Sequence, residues 1–341
     1  VDSWFILLYV ELKLKQEIAV LRDRLMVSNK PVIKQLDHVI ARVDDAEALH
    51  RLFSETFQLP VSWAVKSYKA FKSGGISLGN TNLEILTVGA KSDADGDASA
   101  RFCAFAFECE SLSETVEELG RRKLKCSSVV PYIESPAEGL PKTHLWSNAF
   151  LDGLAGSDLW TRYVIFSTKM PGYQFWANLL RGSRVEQQGI SRLFSGALVF
   201  LVEYEYQNFK NMPLWSDFKN HDEKRAADAE ALRAQAGGAL GLLSVQEITV
   251  SVKDYERANE NWKKLFAPVQ PLAQGLWEVA DGPAVRVVRG ERDLIQGLVF
   301  KVADLERAKT FLREKGMLDS TSSEQIRIDP AAIYGLDIRL V

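Results

Sequence analysis

Apolar positions recur along this chain with two periods, strand-like and helix-like, and the two alternate in a fixed order. Residues 36–43 read as a strand built on Leu36, Val39, Ile40, Ala41 and Val43. The acidic step Asp44-Asp45 follows, and a helical pattern then runs to Phe57. Glycine-rich strands come next, among them 70–75, and the run ends at Asn82-Leu83-Glu84-Ile85-Leu86. The step of strand, acidic residue and helix returns three more times, at 104–120, 248–266 and 298–316. Each strand alternates or runs apolar, and each helix carries apolar residues three and four apart. A unit repeated four times predicts a modular α+β fold.

Between the units lie segments of other character. Residues 91–100 are polar and rich in Asp, Ser, Ala and Gly, as a linker is. Residues 222–235 form a charged, alanine-rich helical stretch that stops at Gly237-Gly238. The stretch 131–196 is too long for a plain unit and is crowded with aromatic residues, including His144-Leu145-Trp146, Trp160, Tyr163, Phe166, Phe175 and Trp176. It is followed by an apolar strand, 197–204, interrupted by Glu203. At the start of the chain, Leu14, Ile18, Leu21 and Leu25 follow Leu7 at near-heptad spacing among charged residues. This predicts an amphipathic helix over 1–30, available to its own domain or to a second subunit in a homodimer. The apolar run 4–10 stops at Glu11, too soon to span a bilayer, and no signal-peptide pattern is present.

At 341 residues the chain has room for two domains with proper cores. Hydrophobic residues make up 46% and the net charge is −3, as in an ordinary soluble protein. Without a basic excess there is no electrostatic case for nucleic acid. Cys103, Cys109 and Cys126 form no metal or redox motif, and their odd number fits a reducing compartment, so a cytoplasmic location is expected. Cys103 and Cys109 read as small core residues on a buried strand. Walker, GxSxG, HExxH and GxGxxG motifs are absent.

The text Leu36-Asp37-His38-Val39, the step Asp44-Asp45 and the strand Leu83-Glu84-Ile85 resemble the vicinal oxygen chelate superfamily, the glyoxalase-like fold. The resemblance covers nearly all of the chain after residue 35. It implies tandem βαβββ modules, four in two pairs, each pair a curved sheet around a cup. The expected organisation is a first domain at 36–205 with the aromatic-rich insertion 131–196, a linker with a helix at 206–244, and a second, degenerate domain at 245–341. It also implies metal ligands on the first and last strands of each module. His38, Glu84 and Glu203 are the matching positions in the first pair, with Glu84 and Glu203 the candidate catalytic carboxylates. His38 stands five residues before Val43, and the same offset from Cys109 falls on Ala104, which cannot bind a metal. In the second pair it falls on Glu247 and Gly297, and the last strands there offer Arg286, Asp337 and Arg339. The functional cup is therefore expected in the first pair, where His144 is a further nitrogen.

Two classes of function follow from the resemblance. One is a metal-dependent enzyme of lyase, isomerase or dioxygenase type, using zinc, iron, manganese or nickel on a small aromatic or vicinal-oxygen substrate. The other is a metal-free protein that sequesters a small molecule in the same cup. A cofactor-free enzyme is a third, weaker reading. Lys66, Tyr68 and Lys69 precede the strand at 70–75 and read as an edge strand in solvent, or as contacts to an anionic substrate.

Overall fold

The computed structural model describes residues 13, 30–68, 70–89, 100–134, 141–156, 159–209, 218–322 and 324–341. The N-terminal helix expected over 1–30, most of the linker 91–100, and Lys69 lie outside the described residues.

The chain is mixed α+β, with two curled sheets and helices packed on them. It opens on β1 (Gln35–Val43) and α1 (Ala46–Arg51). The Asp45 carboxylate caps α1 by accepting from Ala48 N. The helical pattern read to Phe57 is real, but its second half, Leu52–Thr56, widens into a π-turn. Three strands follow as an antiparallel meander, β2 (Val61–Ser67), β3 (Phe71–Ser77) and β4 (Asn82–Val88). β4 closes the unit by pairing parallel to β1. A second unit repeats the plan with β5 (Ala100–Glu108), α2 (Leu112–Arg121), β6 (Val130–Glu134), β7 (Thr143–Leu151) and β8 (Leu198–Tyr204). β8 pairs parallel to β5, and β1 pairs antiparallel to β5. The sheet order β2-β3-β4-β1-β5-β8-β7-β6 is thus symmetric about the β1–β5 seam.

Much of the stretch 131–196 belongs to this sheet, because it contains β7 and most of β6. The added part is three helices between β7 and β8: α3 (Leu159–Ser167), α4 (Tyr173–Leu179) and α5 (Arg184–Leu193). Ile165 of α3 and Leu193 of α5 join Ile40, Leu86, Ala104, Ala106, Phe150 and Phe200 in one apolar cluster. The helices therefore cover part of the sheet's concave face.

α6 (His221–Ala234) bridges to the second sheet. The chain turns out of it at Gly238, which has φ +64°, and a Cβ there would lie 2.3 Å from the Phe57 carbonyl oxygen. The second sheet has the order β10-β11-β9-β12-β15-β14-β13. Its strands are β9 (Leu242–Val252), β10 (Leu276–Trp277), β11 (Ala284–Arg289), β12 (Leu294–Val302), β13 (Leu318–Thr321), β14 (Ile326–Ile328) and β15 (Ile338–Leu340). α7 (Tyr255–Phe266) and α8 (Leu305–Glu314) follow β9 and β12, each capped by the aspartate that ends the strand step, Asp254 and Asp304.

One core joins the two sheets. Trp262 of α7 is fully buried and stacks on Phe105 of β5 at 6.1 Å, with Phe107 and Phe266 around it. Its indole N–H donates to the Leu154 carbonyl at 2.9 Å. Beside it the buried Arg122 guanidinium donates to the carbonyls of Lys264, Leu265 and Ala267, satisfying the C-terminal end of α7, and to Lys30 O. Glu118 accepts from Arg122 Nε at 2.8 Å and balances the charge.

Trp262→Ala is expected to cost about 3–5 kcal/mol, since it opens a large cavity at the junction and orphans the Leu154 carbonyl. Urea denaturation should show the loss, and the single transition of the wild type should split as the two sheets uncouple.

Candidate functional site

The site begins with an irregularity in β1. Neighbouring residues of a strand normally face opposite ways. Between Leu36 and His38 the β1–β5 register slips, leaving Asp37 as the extra residue of a bulge. Asp37 and His38 thereby meet, with His38 Nδ1 donating to Asp37 Oδ2 at 2.6 Å. Both are buried. Tyr204, at the end of β8, donates its hydroxyl to the same oxygen at 2.7 Å. His221, the first residue of α6, sits with Nε2 2.6 Å from the other oxygen, Oδ1. Since an ionised carboxylate only accepts, this nitrogen carries a proton, and the other ring nitrogen, Nδ1, hydrogen-bonds with the Tyr206 hydroxyl at 2.5 Å. The Tyr204 and His221 rings lie parallel, 5.3 Å apart.

On its other side His38 meets Glu84. Asn82 of β4 pairs with His38 across the parallel ladder, so Glu84 starts two residues further along, and its side chain leans back. Glu84 Oε2 lies 3.2 Å from His38 Nε2. That is ion-pair distance, but among the described residues the buried Nε2 has no aligned hydrogen-bond partner. Glu84 Oε1 accepts from the Ser73 hydroxyl at 2.6 Å, and Ser73 accepts from the Trp63 indole. Aromatic residues stand around this end of the cup. Tyr132 stacks on Trp146 at 4.2 Å and Tyr68 on Phe71 at 4.7 Å, with Tyr68 edge-on to both Tyr132 and Trp146. Those contacts join the region after β2 to β6, so the two outer strands of the curled sheet approach one another over the site.

Charge follows from this packing. Burial alone makes the His38 ring harder to protonate, but Asp37 and then Glu84 outweigh it and raise its pKa to about 10. Burial likewise works against the Asp37 carboxylate, yet His221 and His38 hold it well below the usual range. Burial and the Asp37 charge push the Tyr204 phenol well up. Cys103 and Cys109 are pushed up to about 12 by burial and behave as core thiols.

The structure brings two of the three expected ligands together. His38 and Glu84 meet. Glu203 does not join them, because β8 alternates and Glu203 points with Val199 and Leu201, while Phe200, Val202 and Tyr204 face the cup. Glu203 instead accepts from Leu112 N at the start of α2, at 3.3 Å. It lines a recess of about 350 Å³ that His221, Tyr206, Glu108 and Lys219 also line. On β5, Ala104, the residue at that offset, pairs with Ile40, and Ala106 stands opposite His38. Either alanine leaves that position without a donor. His144 bonds locally, to the Ser147 hydroxyl and the Trp146 carbonyl. Zinc in a catalytic site commonly has three protein ligands. Among the described residues no group of three His, Cys, Asp or Glu side chains is placed to hold a metal. His38 and Glu84 thus make two donors of such a set and the described residues do not complete it. In the second sheet Glu247 pairs with Arg286 at 2.7 Å, and Asp337 pairs with Arg327 and Arg339.

Sequence reasoning missed Tyr204, Tyr206 and His221. The alternation Phe200, Val202, Tyr204 carried the signal for the first. Nothing local marks His221, which arrives from a helix far along the chain.

No family model matches the chain, and no curated protein matches it. Solved structures do. A variant of homoprotocatechuate 2,3-dioxygenase from B. fuscum aligns over 92% of this chain and 74% of its own, with a TM-score of 0.50 at 10% identity. The 2,3-dioxygenase LapB from a Pseudomonas species aligns over 91% of this chain and 92% of its own, with a TM-score of 0.49 at 10% identity. A hypothetical protein from Staphylococcus aureus covers 90% and 98%, with a TM-score of 0.48 at 12% identity. At such identity the first of these shows a shared fold alone. That fold is of the extradiol dioxygenase kind, consistent with a vicinal oxygen chelate-like architecture.

Two outcomes follow. Asp37→Ala should destabilise the protein by about 3–5 kcal/mol, because it strands buried cationic and hydroxyl donors, whereas Tyr204→Phe should cost only about 1–3 kcal/mol; chemical denaturation of both variants measures this. The second concerns pH. The folded pKa of His38 lies above its ordinary value of 6.5. Its stabilising effect is therefore full below about pH 6.5 and fades as pH climbs toward about 10. Wild-type stability should fall across that window relative to His38→Gln, which has no such titration.

Proposed function

We propose that the protein binds a small aromatic molecule bearing two adjacent oxygens in the cup of the first sheet. The observation that carries this is the pairing of His38 Nε2 and Glu84 Oε2, a donor and an acceptor 3.2 Å apart and not aligned on each other. One ligand oxygen would accept from the imidazolium while the neighbouring hydroxyl donates to Glu84. The phenyl and indole faces of Tyr68, Phe71, Tyr132 and Trp146 suit a flat ring. Asp37 fixes the orientation of His38, and Tyr204 and His221 fix Asp37, so the polar pair is held rigid before the ligand arrives.

A metal-dependent reaction of lyase, isomerase or dioxygenase type is the second reading, with Glu84 as its carboxylate. One observation favours it. Two ligands about 2.1 Å from a shared zinc, at an angle near 100°, stand about 3.2 Å apart, and a carboxylate behind the other ring nitrogen is the usual companion of a metal-bound histidine. A zinc, iron, manganese or nickel ion would polarise the ligand's oxygens when bound. His38 would first have to give up its proton, against the pull of Asp37.

In keeping with this reading we assign the chain to four βαβββ-type modules in two pairs, at 36–205 and 245–341, joined by 206–244. The buried free cysteines fit a cytoplasmic location.

Isothermal titration of metal-stripped protein with catechol, and with phenol as the single-oxygen control, tests the proposal. Catechol should bind without metal, and His38→Gln or Glu84→Gln should weaken it about 10- to 100-fold through loss of a charged hydrogen bond. Binding that appears only after one of the four metals is restored would move the second reading into first place. No binding in either condition would overturn both.

A further inference from the structure

The helices added between β7 and β8 bury one face and leave the other apolar face in solvent. In α3 the buried positions are Thr161 and Ile165, continued by Thr168. The opposite stripe, Leu159, Tyr163, Phe166 and Met170, follows helical spacing and is more than half exposed at every position. α4 goes further. Its sequence is Tyr-Gln-Phe-Trp-Ala-Asn-Leu, and none of its residues is buried. Phe175, Trp176 and Leu179 are 65%, 58% and 62% exposed, and the first two rings pack edge to face on each other. Scattered apolar residues on a surface are ordinary, but a run of this size marks something that covers it.

Charge says what covers it. Residues 159–193 hold five Arg or Lys and one acid, Glu186, in a chain whose net charge is −3. Lys169 and Arg184 are exposed, Arg162 lies 3.6 Å from Asp152, Arg192 lies over the Trp160 ring, and the Glu186 carboxylate accepts from Gly182 N. A second copy seated on this face across a two-fold axis would set the basic patch against itself. An anionic surface meets both features at once. Aromatic side chains and leucines enter the layer between headgroups and acyl chains, while arginine and lysine meet the lipid charges. We propose that the exposed face of α3 and α4 docks on an anionic lipid bilayer, lying on the surface without crossing it. Among the described residues no helix is long and apolar enough to cross.

Sedimentation of the full chain with vesicles of phosphatidylcholine, with and without phosphatidylserine, tests this. The wild type should sediment with the phosphatidylserine vesicles, less so as salt rises. Phe175→Ser combined with Trp176→Ser should lower the partition coefficient about tenfold or more. Its melting temperature should not change, because both rings are more than half exposed. Lys169→Glu with Arg184→Glu should abolish the preference for phosphatidylserine. The proposal is overturned if the wild type ignores phosphatidylserine vesicles or if the Phe175, Trp176 double variant binds them equally well. Light scattering guards against the other occupant. A wild-type dimer that this double variant converts to monomer, with no change in lipid binding, assigns the face to a second copy and also sinks the idea.

Discussion

A single buried carboxylate organises the first half of this molecule. Asp37 accepts from His38 on its own strand, from Tyr204 on β8 and from His221 on α6. These three elements lie far apart in sequence. Burying a charge without partners is among the most costly things a fold can do. Here the cost is offset only when all three donors arrive, so the carboxylate enforces a specific arrangement of β1, β8 and the start of α6. Glu108 extends the cluster outward. It lies 3.6 Å from His221, accepts from Gln35, and has its own carboxyl pKa raised, first by burial and then by the nearby Asp37 charge despite His221.

The bulge at Asp37 makes this possible, and it has a second consequence. Because Asp37 and His38 share a side of the strand, the network has two ends. One end is the His38–Glu84 pair at the aromatic part of the cup. The other is the His221–Tyr206 pair, which borders the recess lined by Glu203. The hydrogen-bonded chain from His38 through Asp37 to His221 and Tyr206 thus ends at the recess that Glu203 lines.

How much of this was legible in the sequence depends on what kind of constraint each residue obeys. The βα steps were legible because apolar periodicity and a capping aspartate are local signals. Asp45, Asp254 and Asp304 all cap the helices the pattern predicted. His38 and Glu84 were legible because they lie at fixed positions on adjacent strands. Glu203 was misplaced by a single residue of strand parity, since one step along β8 exchanges the cup for the opposite face. Ala104, the residue at the offset, pairs with Ile40, and neither it nor Ala106 carries a donor. His221 was invisible because only the tertiary fold brings it to Asp37. The helices α3–α5 were not legible within the aromatic-rich stretch 131–196, where Leu159, Phe166, Phe175 and Trp176 stay exposed.

Comparison of the two sheets shows what the shared order leaves free. β9 and β12 meet antiparallel, as β1 and β5 do, with parallel partners on each side. At the place comparable to the first sheet's candidate site, the second sheet has Glu247 paired with Arg286. The Arg286 guanidinium brings both Nε and Nη2 to 2.7 Å from Glu247 Oε2, and the Thr249 hydroxyl donates to Oε1 at 3.2 Å. Such a carboxylate has little left to offer a ligand. Glu84 differs in kind, because its neighbour is an imidazole whose facing nitrogen is close but not aligned, so both groups retain an unspent direction. Gly297 adds a steric difference. Its ideal Cβ would sit 2.6 Å from the Asp337 carbonyl oxygen, so β12 and the approach to β15 are pressed together where the first sheet has the side chain of an alanine. The fold repeats its frame, but the carboxylate of the second sheet is spent on an arginine while that of the first faces a histidine.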